Sequence, residues 1–103
     1  MKKLVFSSVF EEDFAEITVH FAADASPEVS RHWEKSTIRV VGLLQRFSEL
    51  GRLRRDLHPD GIRTFAISEF PNHLVFYRLT ANEIVFLRVR YGGMDLTSLF
   101  SSE

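Results

Sequence analysis

The stretch that decides the fold is IRTFAISEF (62–70), PN (71–72), HLVFYRLT (73–80), AN (81–82) and EIVFLRVRYGGMDL (83–96). The three long pieces are rich in β-branched and aromatic residues, the composition of strands. The joints Pro71-Asn72 and Ala81-Asn82 are two residues long, and Asn tolerates the left-handed backbone that tight hairpins need. The spacing therefore predicts an antiparallel three-strand meander. Phe65 and Ile67 share a face in its first strand. His73–Leu79 is apolar on both faces, which predicts a central strand. In the last strand Val85, Leu87 and Val89 alternate with Ile84, Phe86, Arg88 and Arg90. Gly92-Gly93 ends that strand and leaves residues 94–100 as a short tail.

Working outward, Lys2–Ser7 reads as a short strand. Phe10, Phe14, Ile17 and Phe21 then recur at helical spacing. Glu11, Glu12, Asp13 and Glu16 crowd the first turns, where negative charge suits the helix dipole. That helix stops near Ala23–Asp24. Ser26-Pro27-Glu28 predicts a second start, with Ser as cap and Pro where its missing N–H costs nothing. Val29, Trp33, Val40, Leu44 and Phe47 form the apolar side, with Leu43 beside them. Gly42 is read as a point of close helix approach, and Gly51 as the residue that ends the helix after Leu50. The short link between the helices makes a hairpin. Residues 51–61 are read as the one true loop. The expected fold is α+β: an antiparallel sheet with an N-terminal helical hairpin on one face, in the order β-α-α-β-β-β, forming a single domain over residues 1–103.

Composition narrows the function. At 103 residues with 45% hydrophobic and 26% charged residues, the chain has ordinary globular composition, and ten Phe argue for a packed core. The absence of Cys removes thiolate and disulfide chemistry and fits a cytoplasmic setting. No stretch reaches the ~20 apolar residues of a membrane span. Acidic residues follow the opening MKKLVF directly, so it is not read as a signal peptide. Charge is uneven: residues 1–36 carry four cations against seven acids, and residues 37–103 carry nine arginines against seven acids. That surplus is too small to imply sequence-specific nucleic-acid binding. Arg63, Arg78, Arg88 and Arg90 recur along the meander, which suggests a basic sheet face for an anionic or polar partner. The bland alternative pairs them with Glu69, Glu83 or Asp95, and Arg88 is the one read as structural. Asp56, His58 and Asp60 sit close in sequence, but Pro59 restricts them and no fourth ligand is evident, so they are read as a polar loop and no metal or other cofactor is expected.

The order and wording of these pieces resemble the ParE/RelE superfamily of bacterial toxins from type II toxin–antitoxin modules, plasmid-stabilisation proteins of the ParE branch above all. The segments that carry the likeness are EEDFAEI (11–17), LGRLRRDL (50–57) with GIRTF (61–65), NHLVFYRL (72–79) and EIVFLRVRYGGMDLTSLF (83–100). The resemblance implies a cognate ParD-like antitoxin as partner and DNA gyrase as target, with no reaction catalysed by the toxin. RelE-like relatives are instead ribosome-dependent mRNA endonucleases that place basic and tyrosine side chains on the sheet and tail. Here the corresponding places hold His73, Met94 and Phe100. A thioether and a phenyl ring supply neither a cation nor a proton. The tail also departs from the usual ParE pattern, with Tyr91 in place of His and Met94 in place of Arg.

The residues expected to meet a target or an antitoxin are Arg63, His73, Arg78, Arg90 and Tyr91. No catalytic residue is expected on the gyrase reading; on the nuclease reading the set is His73, Arg63 and Tyr91. A non-toxic relic that retains only partner binding is the third reading.

Overall fold

The computed structural model describes residues 1–93 and 96–100. It runs β1 (Lys3–Phe6), α1 (Ser8–Asp24), α2 (Pro27–Arg46), β2 (Arg52–Arg54), β3 (Ile62–Ile67), β4 (Phe70–Leu79) and β5 (Glu83–Tyr91), then a short 3-10 turn at Thr97–Phe100. Five strands form one sheet in the order β1-β5-β4-β3-β2. The helical hairpin and the meander are as the sequence predicts, and β4 is indeed central. The sheet itself is mixed, because β1 joins it parallel to β5, with Lys3 opposite Glu83 and Phe6 opposite Phe86. Part of the expected loop at 51–61 is also a strand: β2 pairs antiparallel with β3, Arg52 opposite Thr64.

Both helices start where short polar side chains satisfy free N–H groups. Ser7 Oγ accepts from the Phe10 N–H at 2.9 Å and Ser26 Oγ from the Val29 N–H at 3.1 Å. Pro27 is the first residue of α2, as its fixed φ favours. The end of α2 comes earlier than expected, at Arg46, where the Phe47 N–H returns to the Leu43 carbonyl at 2.9 Å. Gly51 therefore does not end the helix; it lies under the Tyr77 ring. A Cβ there would stand 2.5 Å from Tyr77 Oη, so only glycine fits. Gly42 has no atom within 4 Å of its would-be Cβ, so it does not mediate close helix approach.

Two further corrections concern the meander. The turn between β3 and β4 is Ser68-Glu69, flanked by the Ile67–Phe70 pair, and Glu69 takes the left-handed backbone at φ 68°. Pro71 and Asn72 fall inside β4, beside a register shift between Ala66 and Ile67. Proline is tolerated in strands at such irregularities. A second shift falls between β4 and β5: Phe76 pairs with Arg88 and Tyr77 with Phe86, which leaves Leu87 over. This bulge reverses the expected alternation, so Ile84, Phe86 and Val89 all enter the same core. The Ala81-Asn82 turn stands, closed by the Thr80 N–H to the Glu83 carbonyl at 3.0 Å.

The main core lies between the sheet and the helices, where Trp33, Val40 and Leu44 meet Val75, Tyr77, Phe86 and Val89. A smaller core covers part of the other sheet face. Phe76, Ile62 and Leu57 pack there beneath Leu96, Leu99 and Phe100. The segment read as a tail is thus partly a lid on the helix-free face.

Candidate functional site

The site builds from the edge of β5. The strand β1 supports β5 only as far as Phe86. The chain then turns: the Ser7 N–H reaches the Phe86 carbonyl at 3.0 Å and Ser7 Oγ donates to the Leu87 carbonyl at 2.9 Å. Beyond that point α1 replaces the missing strand with one side chain. Asp13 is 4% exposed and accepts from the Val89 N–H at 3.3 Å. The same carboxylate receives Arg88 through two bonds, Nε at 2.7 Å and Nη2 at 2.9 Å, and Arg90 Nη1 at 3.3 Å. One carboxylate therefore plugs a sheet edge and holds two arginines. The hydrogen bonds that Arg88 donates to Asp13, followed by the carboxylate's charge, hold the Arg88 guanidinium above its ordinary pKa. Arg88 is structural, as expected, but its partner is Asp13 rather than Glu69, Glu83 or Asp95.

Above this plug lies an open cleft of about 410 Å³ between α1 and the end of β5. Glu16, His20 and Phe21 line it from the helix, and His73, Arg90 and Tyr91 from the sheet. His73 stands directly opposite Tyr91 in the β4–β5 ladder. Its ring is packed among aromatics, with centroids 5.1 Å from Trp33, 5.5 Å from Phe21 and 5.7 Å from Tyr91. Burial pushes the His73 imidazole below its ordinary pKa, and the neighbouring charge of His20 adds to the effect. Tyr91 is 52% exposed at the rim. Arg90 is shared between Asp13 and, at 3.9 Å, Glu16.

Three of the five residues expected to face a partner, His73, Arg90 and Tyr91, thus come together. Arg63 and Arg78 do not join them, so the arginines do not make one basic face. Arg63 Nη1 donates to the Glu49 and Gly51 carbonyls at 3.1 and 2.8 Å and ties down the chain entering β2. Arg78 is exposed on the helix-free face, on the same side as Phe76. The nuclease set His73, Arg63 and Tyr91 is likewise divided. Met94 and Asp95 lie outside the described residues. Phe100 packs on Phe76 with centroids 5.5 Å apart. Among the described residues no group of three or more His, Asp or Glu could hold a metal ion, and no helix is long and apolar enough to cross a membrane. Phe21, His20 and Glu16 were not legible as site residues; their helical spacing from Asp13 was the available signal.

Comparison with known proteins is consistent with this architecture. Toxin ParE3 of Caulobacter vibrioides is 42% identical over 59 residues, which span 57% of this chain and 55% of that protein. The match therefore spans about half the length of this curated relative. A solved chain described as the chromosomal ParDE TA system from P. aeruginosa superposes with a TM-score of 0.74 at 23% identity, covering 88% of this chain and 96% of that one. At that identity the likeness speaks for the fold. The family model described as the ParE toxin of type II toxin-antitoxin system, parDE, matches residues 4–96. With the match extending from β1 through the meander into the final segment, the chain belongs to the ParE toxin family of type II toxin–antitoxin systems.

Proposed function

We propose that this protein is the toxin of a toxin–antitoxin pair that acts by adhesion, with DNA gyrase as its target. The observation that carries this reading is the state of the cleft. Arg90 is engaged by Asp13 and Glu16, and the half-buried imidazole of His73 is packed edge-on against Trp33 and Tyr91. Phosphodiester cleavage needs a cation free to meet developing charge and a group free to move a proton. The cleft supports contact better than chemistry, and Arg90, His73 and Tyr91 are the side chains assigned to that contact.

The partner that silences the toxin is a small ParD-like antitoxin. The surface that best suits it is the seam between the helices, an apolar groove of about 180 Å³ lined by Phe6, Phe10, Phe14, Ile38 and Val41. Ile38 is 69% exposed there and Phe6 38%, so the groove and its rim form one accessible apolar patch. An amphipathic segment laid into the seam would cover it.

Induction of the chain alone should arrest growth with DNA breaks and an SOS response, and co-expression of the antitoxin should prevent both. In a supercoiling assay the purified protein should inhibit gyrase, and Tyr91→Ala should weaken inhibition. Cleavage of mRNA in translating extracts, lost in His73→Ala, would instead establish the nuclease reading.

A further inference from the structure

The helical hairpin buries one side against the sheet and leaves the other to solvent, and its two helices divide their exposed charge by sign. On α1 the outward row holds Glu12, Ala15, Glu16 and Val19, with Glu11 beside it. On α2 it holds Arg31, Lys35, Ile38, Arg39, Gly42 and Arg46. We propose that this outer face of the hairpin joins a second copy of the chain, with α1 of each copy laid on α2 of the other.

The charges on the face are largely unspent. The side chains of Glu11, Glu12, Lys35 and Arg39 make no hydrogen bond or ion pair among the described residues. Glu16 has only the 3.9 Å contact with Arg90. Between these charges stand the two most exposed branched aliphatics among the described residues, Val19 at 67% and Ile38 at 69%. Exposed apolar surface rimmed by charge marks an interaction site. The surface above α2 is also open: a Cβ on Gly42 would meet nothing within 4 Å.

The antiparallel hairpin fixes which charges can meet. Phe10 and Phe14 line the seam from α1, and Thr37, Ile38 and Val41 line it from α2. Farther along, Ser30 Oγ donates to the Thr18 carbonyl at 3.0 Å. Glu12 therefore lies about level with Arg39, and Glu16 with Lys35. A two-fold axis in the contact plane, running along and between the helices, exchanges α1 with α2 and keeps every level. Glu12 of one copy then meets Arg39 of its partner, and Glu16 meets Lys35, twice each per dimer. Ile38 comes down beside the partner's Ala15, and Val19 over the carbon stems of the partner's Arg31 and Lys35. An axis across the helices would instead lay α1 on α1 and set acid on acid. At the hairpin turn, Asp24 is held by His20 at 3.0 Å and Glu28 by Arg31 at 3.7 Å within each chain, so those acids add little repulsion.

Size sets the strength. The 17-residue α1 makes a face roughly 26 Å long and two helix diameters wide, on the order of 500 Å² in projection. That is below the roughly 800 Å² per partner of standard stable complexes. The dimer is therefore weak and, because its charges are exposed, sensitive to salt. It also covers the seam groove, so a second copy and an antitoxin segment in that groove exclude each other.

The test is sedimentation velocity of the purified full chain, from low micromolar to several hundred micromolar, in low and in high salt. The mass should pass reversibly from one chain to two, and salt should push the transition to higher concentration. Arg39→Glu and Glu12→Arg each turn two attractive contacts per dimer into repulsive ones. Each should weaken the dimer by about tenfold or more, while the urea midpoint stays put. In an equal mixture of the two variants every such contact again joins opposite charges, so the mixed pair should form as tightly as wild type. A single chain at every concentration, growth beyond two chains, a dimer indifferent to both substitutions, or a mixture no tighter than its components overturns the proposal. These readouts involve neither gyrase nor antitoxin, so they stand or fall apart from the proposed function.

Discussion

Replacing Asp13 by alanine should be among the most destabilising changes in this protein. The carboxylate accepts four bonds, three of them from the guanidinium groups of Arg88 and Arg90. Truncation would leave two cations facing each other without a counter-charge and the Val89 N–H without its acceptor. Breaking a buried ion pair from one side costs about 3–5 kcal/mol. Here the arginine side chains are 21% and 29% exposed, so water recovers part of that cost. The expected loss is about 2–3 kcal/mol, which for a chain of this size lowers Tm by roughly 10–20 °C. Trp33 is the one tryptophan and is fully buried, so its fluorescence reports unfolding in urea directly. Asp13→Asn should fall between, because its carbonyl can still take the Val89 N–H but carries no charge. The double mutant Asp13→Ala with Arg88→Met should lose less than the sum of the singles, since both partners then leave together. A loss below about 0.5 kcal/mol for Asp13→Ala, the range of ordinary surface changes, would refute the claim that this carboxylate plugs the sheet edge.

Further outcomes follow from two rings, Tyr77 fully buried and His73 half-buried. Tyr77 Oη donates to the Ser48 carbonyl at 2.8 Å and accepts the Gly51 N–H at 2.9 Å, so Tyr77→Phe should cost about 1–3 kcal/mol in urea unfolding. Burial pushes the Tyr77 phenol up, so the folded state keeps a proton that the unfolded chain releases; stability should fall as pH rises past about 10, and Tyr77→Phe should flatten that decline. For His73 the sign is opposite. Burial pushes its pKa down, the unfolded chain binds the extra proton first, and stability should fall as pH drops below about 6.5. His73→Phe keeps a ring in the stack, so its urea midpoint should change less than wild type between about pH 7.5 and about pH 5.5; an equal slope in both proteins would assign the acid sensitivity elsewhere.

The legible parts of this structure were the ones that act over a few residues. Ser26-Pro27 announced α2 because the cap and the fixed φ operate within one turn. Ala81-Asn82 marked a hairpin for the same reason. The misplaced turn shows the limit of such reading. Pro71-Asn72 has turn composition, yet Ser68-Glu69 makes the turn, because the register shift beside Ile67 lets proline remain inside the strand. Leu87 misled in a similar way, since a bulge set by the partner strand reversed the alternation after Phe86.

Local signals in the chain determined the α+β class, the helical hairpin, the central place of β4 and the likeness to a toxin family. Only tertiary structure decided that β1 lies parallel to β5, that Asp13 takes its place farther along the edge, and which arginines remain available. Asp13 and its partners stand 75 to 77 residues apart, and charge does not say in one dimension which opposite it will meet. The same holds for the cleft, whose walls come from distant segments that approach only once the strands are in register.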